Sequence, residues 1–166
     1  CALPICFIVV DNHLRTTAPN VFGLGDCIGR HFFRHTVNYE GEYLLRTAVR
    51  ALDDKPLDYG PVPHAVFSHP QIAGVGATEE ELRARNADYI VGRANYAEST
   101  PGEARLLDHG LVKILVDRAT GQILGAHIVG DEASDMIHLF IALMKKSGTL
   151  DDLLDMIFIH PALPEV

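Results

Sequence analysis

The chain has 166 residues, 48% of them hydrophobic and 22% charged, with a formal net charge of -8 at pH 7. That length suits one domain, or one domain with a piece of another. The acidic balance and the lack of a basic cluster argue against a nucleic-acid partner. No apolar run is long enough to span a bilayer, so the expectation is a soluble globular protein without a membrane partner. The three cysteines, Cys1, Cys6 and Cys27, make no disulfide framework and fit a reducing, cytoplasmic compartment. The apolar start has no charged region before it and reads as structure rather than a signal peptide.

In chain order, Phe7, Ile8, Val9 and Val10 form a β-branched apolar run closed by Asp11-Asn12, the pattern of a strand and turn. Val21-Phe22-Gly23-Leu24-Gly25-Asp26 predicts a short buried strand that ends in glycines and an acid. Gly23 and Gly25 remove side chains where a backbone or ligand comes close. Asp26 would then stand at the strand's C-terminal edge, where ligands of open α/β sheets sit. An Asp in an ordinary turn has the same local pattern. Tyr39, Leu44, Leu45, Ala48, Val49 and Leu52 recur near a 3.6 spacing and predict a helix over 38–52. Its approach, Phe32-Phe33-Arg34-His35-Thr36, is either a place where free backbone N–H groups hold negative charge or a solvated basic turn.

Residues 53–61 change texture, with three Asp, two Pro and a Gly, and predict a domain boundary that leaves domains 1–60 and 61–166. Beyond it come a strand over 62–68 and a short helix with Thr78 as N-cap and Glu81 completing a capping box. A strand over 89–96 follows. Residues 110–117 and 122–129 read as a hairpin turned by Arg118-Ala119-Thr120-Gly121. A helix over 131–147 puts Met136, Ile137, Phe140, Ile141 and Met144 on one face, as core or dimer interface, and ends at Gly148 as its C′ residue. Thr149 caps a last short helix. Strands followed by helices give an α+β fold with an antiparallel sheet and flanking helices.

The chain closes on His160-Pro161-Ala162-Leu163-Pro164-Glu165. A carboxylate five residues after an imidazole can bond one ring nitrogen, fix the tautomer and raise the basicity of the other nitrogen. That is what a general acid/base needs. Taken alone, the same residues are also an incidental His in a terminal tail. His69-Pro70 repeats the pair without the Glu and, like His127 and His138, reads as structural. No set of His, Cys and acids has metal-ligand spacing, so no metal is expected.

Together these signals resemble one family. Thr17 to Asp26 is similar to the second flavin-binding motif of the FAD-dependent pyridine nucleotide-disulfide oxidoreductases. Phe67-Ser68-His69-Pro70 with Val75-Gly76-Ala77-Thr78-Glu79 resembles the start of their dimerisation domain, and Gly121 to Gly130 its central hairpin strand. His160-Pro161 with Glu165 resembles their C-terminal active-site signature. The nearest branches are the dihydrolipoamide dehydrogenase and mycothione reductase types. The resemblance implies that 1–60 is the C-terminal piece of an α/β FAD-binding domain and 61–166 the dimerisation domain.

It also implies a chemistry. NAD(P)H reduces FAD, the flavin reduces a Cys-x-x-x-x-Cys disulfide, and the dithiol exchanges with a small-molecule or lipoyl substrate. His160, held by Glu165, would act as acid/base on a thiol in the partner subunit of a homodimer. Gly25 and Asp26 would bind FAD, and Phe32, Phe33, Arg34 and His35 would sit beside the flavin ring. The helix starting near Thr36 would point at the pyrimidine end, and the His160–Pro161 bond would be cis. Three departures stand out. Ala162 and Pro164 replace hydroxyl residues, and Arg34 flanks His35 where small or apolar residues are common. Gly-x-Gly-x-x-Gly is absent, and Cys1 and Cys6, despite their spacing, precede the wrong motif to be the redox pair. The expectation is a C-terminal fragment, inactive alone and retaining neither FAD nor NAD(P). The alternative is a stand-alone dimerisation module.

Overall fold

The structure is a computed structural model that describes residues 6–166. Cys1, half of the Cys1/Cys6 pair, lies outside them. The chain divides into two compact units, Cys1–Gly60 and Pro61–Val166.

The first unit is built around α1 (Arg34–Leu44), which runs on as a π turn over Leu45–Val49. Its core is Leu14, Ile28 and Tyr43, with Val10, Leu24, Leu44 and Leu57 against it. Three expectations are corrected here. Residues 7–10 form no strand. Ile8 donates one backbone bond, to the Cys27 carbonyl at 2.8 Å, and a single bond is not a ladder. Val21 to Asp26 is not a buried strand either: Val21 and Phe22 are exposed, Phe22 makes one isolated bridge to Arg15, and a 3-10 turn begins at Gly25. Asp11 bends the chain just before, its carboxylate accepting from the His13 and Arg15 amides at 2.8 and 2.9 Å. Finally, α1 starts four residues before the expected helix, and its buried face is Thr36, Glu40 and Tyr43. The predicted apolar stripe is largely in solvent, with Tyr39, Leu45, Val49 and Leu52 exposed. Spacings of four and three turn Thr36, Glu40 and Tyr43 inward as well as any apolar set would, and each has a hydrogen bond for its polar atom.

The second unit carries a five-stranded antiparallel sheet in the order β1-β2-β5-β4-β3. The strands are β1 (Pro63–Val66), β2 (Gln71–Gly76), β3 (Tyr89–Asn95), β4 (Leu111–Asp117) and β5 (Ile123–Gly130). The helices are α2 (Glu79–Ala84), α3 (Thr100–Ala104), α4 (Ala133–Lys145) and α5 (Leu150–Leu154). α4 lies on β5, β2 and β1. Met136, Ile137 and Phe140 of α4 meet Ala73, Val75, Ala126 and Ile128 of the sheet in one core. The expected α+β architecture is therefore the observed one. β2 and α3 were not anticipated. β2 holds two glycines, which weaken strand propensity. At Gly74 the reason is a close approach: a Cβ there would fall 2.7 Å from the His64 ring and 2.8 Å from the His127 ring.

α4 ends differently from expectation. Ser147, not Gly148, takes the left-handed conformation, at φ 55°. The Gly148 amide donates to the Leu143 carbonyl at 2.8 Å and the Ser147 amide to Met144 at 3.0 Å, which makes a Schellman end. Gly148 is still needed, because a Cβ would come 2.9 Å from the Leu143 oxygen. Thr149 and Asp152 then form a reciprocal capping box that starts α5. α5 delivers the chain to the C-terminal turn. No helix among the described residues is long and apolar enough to cross a membrane.

Candidate active-site elements

In the second unit, the last residues close a 3-10 turn over Leu163–Glu165, pinned by the buried Leu163. The turn swings Glu165 back over the start of its own segment. One carboxylate oxygen accepts from the Ala162 amide at 2.8 Å. The other lies 2.9 Å from His160 Nδ1. A carboxylate only accepts, so Nδ1 carries the proton in the neutral ring and Nε2 is left with its lone pair. The Ala162 amide first, and His160 second, hold the Glu165 carboxyl below the usual carboxylate range. The His160 side chain is 63% exposed against 24% for Glu165. The orienting carboxylate is thus less exposed than the ring it orients, and the ring is presented to solvent. Ala162 cannot cap the turn with its own side chain, so among the described residues the Glu165 carboxylate supplies the side-chain hydrogen bonding, beside the backbone bonds from Glu165 to Ala162 and from Val166 to Leu163. The His160–Pro161 bond is cis, and so is His69–Pro70.

In the first unit, Gly25 opens the turn over Gly25–Ile28 at φ 74°, in the left-handed region. A Cβ there would meet Val37 of α1 at 3.0 Å, so the turn lies directly on the helix. Asp26 is exposed, and its carboxylate takes no hydrogen bond from the described residues. The sequence-predicted residues at the start of α1 are brought into one short stretch. Phe33 stacks on His35 with ring centroids 5.1 Å apart and planes 10° from parallel. Phe32 and Arg34 are exposed. No side chain caps the helix at Phe33.

Sequence reasoning missed Glu40. It is 1% exposed, and both oxygens accept: one from the Gly25 amide and one from the Tyr59 hydroxyl, each at 2.5 Å. No local spacing could have shown this, since its partners stand 15 and 19 residues away.

A family model for the pyridine nucleotide-disulphide oxidoreductase dimerisation domain matches residues 62–166. The chain belongs to the pyridine nucleotide-disulphide oxidoreductases. Among curated members, it is 32% identical to the dihydrolipoyl dehydrogenase of Rhizobium etli over 158 residues, covering 95% of this chain and 33% of that one. It is 36% identical to the mycothione reductase of Mycobacterium tuberculosis over 164 residues, covering 96% and 36%. The chain thus spans about a third of the length of the curated members it matches. Among solved structures of the family, it aligns with the HOCl-induced flavoprotein disulfide reductase RclA from Escherichia coli. There the TM-score is 0.85 and the identity 30%, over 95% of this chain and 36% of RclA. LpdA from Mycobacterium tuberculosis shares the fold, with a TM-score of 0.87 at 24% identity over 96% of this chain and 34% of LpdA.

Proposed function

We propose that this chain is the C-terminal third of a flavin-dependent NAD(P)-disulfide oxidoreductase of the dihydrolipoamide dehydrogenase type. It would act as a homodimer on a disulfide or dithiol substrate, either a small molecule or a lipoyl group. In this reading, residues 1–60 end the FAD-binding domain and residues 61–166 form the dimerisation domain. The observation that carries it is the 2.9 Å contact between His160 Nδ1 and Glu165.

A free thiol titrates at about 8.5, so at neutral pH it needs a base before it can attack a disulfide. His160 Nε2, left unprotonated by the Glu165 contact, takes the thiol proton. The resulting imidazolium is stabilised by the carboxylate and returns the proton to the leaving thiolate. Because His160 is exposed beside the exposed Ile157 and Ile159, it is presented outward, as a base serving a partner subunit's cysteines must be.

In this reading the first unit would hold part of FAD. Asp26 would offer its exposed carboxylate to the ribityl or phosphate part of FAD, and the bare Gly25 would let the turn come close. Phe32, Phe33, Arg34 and His35 would sit beside the flavin ring. When bound, FAD passes electrons between NAD(P)H and the dithiol. The chain alone is expected to purify without flavin and without activity.

His160→Ala in the full-length flavoprotein tests the reading. The expected result is a fall in turnover with the disulfide substrate of about 10²–10⁴-fold, with folding and FAD content preserved. Unchanged turnover would remove His160 from the chemistry.

A further inference from the structure

Resting on the flavoprotein reading above, we infer that Glu40 is the positioning residue of the cofactor turn, holding the Gly25 amide so that Asp26 is presented to FAD. Three observations support this. Asp26 has no side-chain bond to fix it within the described residues, and its place depends on the backbone of the turn over Gly25–Ile28. That turn is tied down at its first residue by the Gly25 amide, which donates to Glu40 at 2.5 Å. Glu40 is itself fixed, because α1 carries it at 1% exposure and its second oxygen accepts from Tyr59.

A carboxyl group buried this deeply is costly unless its oxygens are bonded. Packing alone would be served better by an apolar side chain of the same length. What only an oxygen can do here is accept from Gly25, whose N–H points at Glu40 of α1. Tyr59 completes the arrangement from the far end of the unit. Burial first, and the Glu40 bond next, push its phenol up to about 12, so it stays a donor across the neutral range. Glu40 touches no reacting atom, so its role is exerted through the turn.

The required feature is therefore an acceptor at this position rather than a charge. Glutamine supplies one: its oxygen can accept from Gly25 while its amide donates to the Tyr59 oxygen, which both donates and accepts. Methionine fills the space and supplies none.

The test compares Glu40→Met and Glu40→Gln in the full-length holoenzyme. FAD affinity is read by flavin fluorescence, the melting temperature is taken on the apoprotein, and the Gly25 amide is followed by NMR in the 166-residue chain. The expected result is about a ten-fold or greater loss of FAD affinity in Glu40→Met, together with a lower apoprotein melting temperature because the Gly25 and Tyr59 donors lose their acceptor. Glu40→Gln is expected to recover affinity to within about three-fold and to keep the Gly25 amide shift. Wild-type affinity in Glu40→Met would overturn the inference and leave the flavoprotein reading standing. If Glu40→Met fails to fold, Glu40→Gln decides: near wild-type affinity supports the inference, and a ten-fold loss overturns it. A wild-type full-length protein that binds no FAD removes the flavoprotein reading and this inference together.

Discussion

Glu165 accepts two bonds on one carboxylate, and its ionisation is therefore linked to the fold of the C-terminal turn. Its folded pKa is lowered, first by the Ala162 amide and then by His160. A lowered carboxylate stabilises the folded state above its unfolded value, near 4.5, and that stability is lost as pH falls through the folded value. Wild type and Glu165→Gln should accordingly differ in melting temperature at pH 7 and converge as the solution is acidified below about pH 4. A gap that persists or widens in acid would contradict the linkage. His64 has the same sign with a different cause. Burial, and then His127, lower its pKa from 6.5, so the unfolded chain binds its proton more readily and stability falls as pH drops below that value. His160 and Glu165 could be paired from sequence because five residues separate them and a turn connects them. Glu40 could not, because its worth depends on Gly25 and Tyr59 arriving from elsewhere.

At the scale of elements, the junction between α4 and α5 concentrates local determinants with opposite predicted effects. Ser147 is held at φ 55°, where a Cβ is unfavourable. Ser147→Gly should therefore stabilise the chain by about 0.5 kcal/mol, the relief being partly offset by a more flexible unfolded chain. Thr149→Ala removes the acceptor for the Asp152 amide and half of the capping box, and should cost about 1 kcal/mol. Chemical denaturation of the two variants reads both signs. The capping box at Thr78 and the N-cap at Thr149 were legible because each is read within four consecutive residues. β2 was not legible, because its place depends on β1 and β5 flanking it. The start of α1 was misread because period-based reading counts Glu40 as an outward polar residue.

At the scale of the whole molecule, the second unit has a complete sheet and its own core of thirteen buried residues. Among the described residues, the first has a core of three. Residues 61–166 expressed alone should melt in one cooperative transition. Residues 1–60 alone should not, since a chain of that size is already marginal even with a full core. Circular dichroism melts of the two pieces check this. The α+β class was readable from the run of strands followed by helices. The strand order was not, because pairing β2 with β5 is a decision made across some fifty residues.

The exposed apolar residues of α1 and the segment after it also bear on how this chain behaves as a solute. Val49 and Leu52 are 74% and 67% exposed, and Tyr39 and Leu45 are exposed as well. What keeps such molecules apart in dilute buffer is mutual repulsion at a net charge of -8. Salt at about 0.5 M shortens the reach of that repulsion to a few ångströms while leaving apolar attraction intact. The chain should then show colloidal behaviour opposite to simple salting-in, with light scattering rising as sodium chloride is added and falling again on dialysis.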